Sequence, residues 1–191
     1  MGKERILLED RSPVCDIQAF VEDNGECIYF YLWVHPGSGH AEIRNCWVCN
    51  TVPGTEDMDH AAMKSGRAPR MPLPFVAHEP EGIRLDEREL SLLWFEEGDG
   101  AALYEGERLI AVIPGWSGPD FSGYSIYAKG MGPFAWGLSD ALDVLTARLD
   151  RCRTYWDVMN GDYFGEMQQE QLAAMEAFFG PYKKYYAIDR E

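Results

Sequence analysis

The sequence predicts the α+β class: a single domain over residues 1–191, with a mainly antiparallel mixed sheet flanked by two C-terminal helices. Three observations predict it. Short apolar runs broken by Asn-Gly, Glu-Gly and Asp-Gly fill the first two thirds, the pattern of strands joined by tight turns. Apolar residues at 3–4 spacing fill the last third, the pattern of a helix with one buried face. No internal repeat and no Ser/Gly-rich linker divides the chain.

The first fifty residues read as a three-stranded meander. Val14–Glu22 alternates and ends at Asn24-Gly25, a hairpin turn signal. Cys27–Val34 (CIYFYLWV) is almost continuously apolar, so it is expected as a central strand covered on both faces. His35–His40 turns the chain and Ala41–Cys49 returns. Residues 51–84 carry Pro53, Pro69, Pro72, Pro74 and Pro80, which forbid long regular structure. One short helix is expected over Glu56–Lys64, capped by Thr55 and ended by Ser65-Gly66. A connection this long covers a sheet face or carries function.

Strands at 90–96, 101–104 and 108–113 follow, with turns at 97–100 and at Glu105-Gly106. Residues 114–138 hold six glycines and predict a packed loop with a short strand near Tyr124–Ala128. Ser139 then caps a helix whose stripe is Leu142, Leu145, Leu149, Cys152, Trp156 and Met159. Asp162 starts a second helix with Leu172, Met175 and Phe179 inward, ended by Gly180-Pro181; Lys183–Asp189 is expected as a last strand. One sheet core is expected to gather Ile28, Tyr29, Phe30 and Leu32 with Leu93, Phe95, Ile110 and Val112, packed by Leu145, Leu149, Trp156 and Phe179.

Composition bounds the function. A hydrophobic fraction of 46% argues for a core rather than a disordered chain. No apolar run is long enough to cross a bilayer, and the start, MGKERILLED, is not a signal peptide. Five cysteines without a secretion signal predict reduced thiols and a cytoplasmic protein. A formal charge of −15 repels phosphate backbones and anionic lipid, so nucleic acid and membrane are excluded as expected partners and a basic protein is favoured. Between Glu79 and Asp99, eight acids stand against Arg84 and Arg88, a balance of −6.

Candidate chemistry is sparse. Cys46-Trp-Val-Cys49 has redox spacing, yet it lies in a strand-like run, EIRNCWVCN. Positions i and i+3 of a strand face opposite ways, so both thiols are expected to be reduced, unmetallated and structural. Zinc held by His35, His40, Cys46 and Cys49 is disfavoured by the same geometry. His60 and His78 have no spaced partners. Gly115-Trp-Ser117-Gly118-Pro119 lacks the final glycine of a nucleophile elbow. Phosphate-cradling loops are absent, and no cofactor or metal is implied. Glu96, Glu97 and Asp99 crowd one turn beside Trp94, with Trp116 further along the same run of strands and turns. Acid–base work needs carboxylates in contrasting environments, which adjacent turn residues do not supply. The site expected here is a partner-binding one: Glu96, Glu97 and Asp99, with Trp94 or Trp116 as anchor. No catalytic residue is assigned.

The blocks CWVCN, LLWFEEGDGAALYEGERLIAVIPGWSG, YAKGMGPFAWGL and GPYKKYYAID resemble bacterial proteins grouped with the suppressor of fused family. The resemblance covers most of the chain and consists of apolar and glycine-rich blocks, not a catalytic signature. It implies a mixed α/β domain without enzymatic activity, a protein-binding module, and for bacterial members an immunity protein against polymorphic toxins. It carries over no catalytic residue. Relatives continue past KYYAID with a basic, proline-containing stretch, whereas this chain stops at Arg190-Glu191. The leading expectation is therefore a non-enzymatic acidic binding module, an immunity protein in the sharpest form. The alternatives are an enzyme using Glu96, Glu97 and Asp99, or a thiol or zinc protein working through Cys46 and Cys49.

Overall fold

The computed structural model describes residues 4–77, 81–95, 98–115 and 123–138. These residues are mostly β. Strands β1 (Arg5–Arg11), β2 (Ile17–Asp23), β3 (Cys27–Val34) and β4 (Glu42–Asn50) form a four-stranded antiparallel sheet in that order. Strands β5 (Leu90–Phe95), β6 (Gly100–Glu105), β7 (Arg108–Ile113), β8 (Tyr124–Ser125) and β9 (Trp136–Gly137) form a second sheet, antiparallel except for the parallel β8–β9 pair. The one α-helix among the described residues is α1 (His60–Lys64). None there is long and apolar enough to cross a membrane.

This corrects the expected α+β class. There are two sheets rather than one, and the described residues carry no flanking helices. The helices read from Ser139 and Asp162 and the strand at Lys183–Asp189 lie outside the described residues, as do the core residues Leu145, Leu149, Trp156 and Phe179. Turn chemistry specifies each hairpin locally, but it does not say whether successive meanders join one sheet. Here the proline-rich connection from 51 to 89 starts a new one.

Other expectations shift by smaller amounts. The first meander has four strands, because Arg5–Arg11 pairs with β2 through a bulge at Leu7. The helix is shorter than Glu56–Lys64 and is capped by Asp59, whose carboxylate accepts from Ala62 N at 2.9 Å. The strands expected at 90–96, 101–104 and 108–113 form at Leu90–Phe95, Gly100–Glu105 and Arg108–Ile113.

The sheets share one core. Val21, Ile28, Phe30, Leu32, Leu103 and Ile113 are buried in a single cluster, β1 lies beside β5, and β4 lies beside β7 and β8. The expected core therefore divides. Ile28, Tyr29, Phe30, Leu32 and Ile110 belong to this cluster, while Phe95 and Val112, with Leu93 against them, belong to a second cluster with Tyr124, Trp136 and Leu138. Neighbouring residues of a strand point to opposite faces, so a sheet apolar on both sides feeds two cores.

The outer face of the first sheet is covered at one end by the segment around Pro69–Met71. Tyr29 donates its hydroxyl to Pro69 O at 2.8 Å, and Asn24 Nδ2 donates to Ala68 O at 3.0 Å. Asn50 fixes the same segment. Its Oδ1 accepts from Trp47 Nε1 at 2.9 Å and from Met71 N at 3.0 Å, and its Nδ2 donates to Met71 O at 2.9 Å. Asn50 is buried, so losing its amide strands polar groups away from water. Asn50→Ala should lower stability by roughly 2 kcal/mol or more, read as a lower urea midpoint with an unchanged slope; an unchanged midpoint would contradict this clamp.

Candidate functional site

The turn between β5 and β6 holds the sequence-predicted acids. Glu96 and Glu97 lie outside the described residues, and so does Trp116. Asp99 and Trp94 are described, and both are already engaged. Arg44, on β4, points its guanidinium at this turn. Its Nη1 donates to Asp99 Oδ1 at 3.2 Å and to Gly115 O at 3.0 Å, and its Nε donates to Glu42 Oε1 at 3.0 Å. The Arg44 side chain is only 11% exposed. A charge so far from water is held only with its donors paired. Asp99 thus satisfies a structural cation. Trp94 is half-buried and donates its indole N–H to Asp10 Oδ2 at 3.0 Å, across to β1.

The turn is also fastened through its backbone. Ser12 Oγ donates to Gly98 O at 2.8 Å. Gly98 has φ +82°, and a Cβ there would meet Ser12 Oγ. Only glycine serves both the left-handed backbone and the close approach. The turn expected to present carboxylates to a partner is, in its described part, a joint between the two sheets.

The described acids between Glu79 and Asp99 do not gather at one place on the fold. Asp86, Glu87 and Glu89 precede β5, whereas Asp99 follows it. A six-residue strand spans about 20 Å, so these acids sit at opposite ends of β5. Glu87 reaches Arg5 of β1 at 3.3 Å.

The cysteine motif is placed unexpectedly. Phe30 pairs with Cys46 and Ile28 with Cys49, and the register slips between them, leaving Val48 as a bulge. Phe30 and Ile28 share a face, so Cys46 and Cys49 share it too, toward the second sheet. The period-two argument had put them on opposite faces; one extra residue undoes it. Both are free thiols, fully buried. Burial raises both their pKa values and pushes Cys27 up to about 12. None of these thiols has the exposed, cation-flanked setting that reactivity needs. His35 and His40 lie exposed on the β3–β4 connection, apart from these thiols, and no three His, Cys, Asp or Glu side chains gather for a metal among the described residues.

An enclosed space of about 10 Å³ between Asn50, Leu73 and Ile83 has room for one water at most. An open trough of about 540 Å³ runs beside Glu9, Asp10, Arg11 and Gln18. Next to it lies a feature the sequence reading missed. No other described segment covers the outer face of the first sheet at its far end, where Trp33 is 37% and Ile43 53% exposed. Phe20 and Tyr31 stack there with centroids 4.8 Å apart. The signal was present in the tryptophan near the end of CIYFYLWV.

No protein-family model, curated protein or solved structure matches this chain.

The thiols carry a pH dependence. Their folded pKa values lie above the unfolded value of about 8.5, so the stability they contribute is complete below that pH and is lost as pH rises toward the folded value. The urea midpoint should hold steady from neutrality to about pH 8.5 and then fall, each thiol adding a slope of up to about 1.4 kcal/mol per pH unit. A midpoint that rises between pH 8.5 and 10 would contradict buried, protonated thiols.

Proposed function

We propose that this chain is a non-enzymatic, acidic protein-binding module for a basic partner, acting in the cytoplasm as an immunity protein does when it neutralises a basic toxin. The observation that carries the reading is the formal charge of −15 on a molecule whose Glu9, Asp10, Asp86, Glu87, Glu89 and Glu107 are exposed. A field of that sign accelerates encounter with cationic proteins and slows encounter with nucleic acid. The alternatives lose support from geometry. Of the carboxylates in the enzyme reading, Glu96, Glu97 and Asp99, the described one, Asp99, is tied to Arg44. The thiol or zinc reading needs reactive sulfurs, and Cys46 and Cys49 are buried with raised pKa values. The resemblance to the suppressor of fused family agrees with a binding role and rests on the quoted sequence blocks.

The test is a binding panel of purified proteins, basic ones of pI above roughly 9 and acidic ones of matched size, including any toxin encoded beside this gene. The expected result is selective binding of a basic member, with an association rate that falls as salt rises and screening shortens to about 8 Å near physiological ionic strength. Co-expression should protect cells from that partner if it is a toxin. Equal binding to acidic and basic proteins, or turnover of a small-molecule substrate lost in Asp99→Asn, would overturn the reading.

A further inference from the structure

The strand register of the first sheet lays out its outer face as a grid. One row is Arg11, Gln18, Trp33 and Ile43; the next is Glu9, Phe20, Tyr31 and Asn45. A third row begins with Ile6 and Glu22 and runs to Tyr29, where the Pro69 segment takes over. The part that the Pro69 segment leaves open is therefore these first two rows, with exposed Trp33 and Ile43, half-buried Phe20 and Tyr31, and Glu9 and Glu22 at the β1–β2 side. Strands lie about 4.8 Å apart, so both carboxylates are within reach of a segment lying across the rings.

We propose that this face is the docking surface for an extended, arginine-bearing segment of a basic protein, with a guanidinium stacked on Trp33 and neighbouring arginines paired to Glu9 and Glu22. The inference rests on the binding-module reading and names its surface. Three features commit it to this occupant. Trp33 and Ile43 are the large apolar side chains left most open on this sheet's outer face together with Ile6, and a desolvated tryptophan supplies much of an interface's affinity. A tryptophan face attracts a guanidinium more strongly than other aromatic rings do. The carboxylates give the fork geometry that arginine matches with two parallel hydrogen bonds.

The carboxylates are held in place for this. The Tyr31 hydroxyl favours the charged form of Glu22, but burial, with the charge of Glu4 adding to it, keeps its pKa above the ordinary carboxylate value. Tyr31 is stacked between Phe20 at 4.8 Å and Tyr29 at 5.7 Å. Gln18 donates its amide to Glu9. A rigid, pre-arranged surface spends little entropy on binding. Arg11 is the one cation on the two open rows, and it leans toward Asp16 at 3.9 Å.

The experiment is an amide and indole chemical-shift titration of the whole chain with a short peptide alternating arginine and glycine, near physiological salt. The control peptide carries glutamate in place of arginine. Expected shifts cluster at Gln18, Phe20, Tyr31, Trp33 and Ile43, and the control peptide causes none. Trp33→Ser should weaken binding about ten-fold or more, Trp33→Tyr should restore most of it, and Glu9→Gln with Glu22→Gln should weaken it and flatten its salt dependence. The tyrosine variant keeps the test informative if the serine variant fails to fold. Shifts confined to the Gly98–Asp99 turn or another surface would overturn this inference and leave the module reading standing. Absence of binding by the arginine peptide and by every basic member of the protein panel would overturn both. A dimer in sedimentation that dissociates in Trp33→Ser would assign the face to a second copy of this chain and overturn the proposed occupant.

Discussion

Strand β4 is the element on which both sheets depend. An edge strand leaves a row of unpaired backbone groups, which folded proteins must cover. Here the second sheet covers them. Asn45 O accepts from Gly123 N at 3.1 Å, Trp47 N donates to Phe134 O at 2.9 Å, and Ser125 Oγ donates to Val48 O at 2.6 Å. A Cβ at Gly123 would collide with the Val112 carbonyl, so glycine lets this segment fit between the sheets. Arg44 adds the charged tie at the end of the same strand. The glycine-rich segment is thus a seam, and it holds the first sheet so that its opposite face stays turned outward.

The local parts of this fold were legible because short-range chemistry writes them. Asn24-Gly25 and Glu105-Gly106 give their hairpins, and Gly25 and Gly106 take positive φ as those turns require. What was not legible is non-local. The bulges at Leu7 and Val48 leave no residue signature, yet the first hid a strand in RILLEDR and the second turned Cys49 to the other face. Whether β5 continues the first sheet or begins another depends on how the connection from 51 to 89 runs, and neither periodicity nor turn residues encode that path.

The site was legible in residue type but not in its long-range contacts. Asp99 stands out as one of a cluster of acids, but its partner Arg44 is 55 residues away, and sequence alone does not join them. Trp94 stands out beside the acids, but its indole N–H belongs to Asp10, 84 residues away. Trp33 was absorbed into an apolar run expected to be covered on both faces. In fact, the covering segment at Pro69–Met71 reaches Tyr29 and Asn50, leaving Trp33 at 37% exposure. A strand can change from core to surface along its own length when its cover is short.

If the seam along β4 is what makes two sheets one cooperative body, then loosening it must be felt in both. The direct measurement is native-state hydrogen exchange on Arg44→Met beside the natural chain. The account predicts that amides of β2 and β3 and amides of β6 and β7 lose protection by the same factor, because local and global opening merge when elements share one core. Loss of protection confined to Gly98–Gly100, with both sheets unchanged, would contradict it.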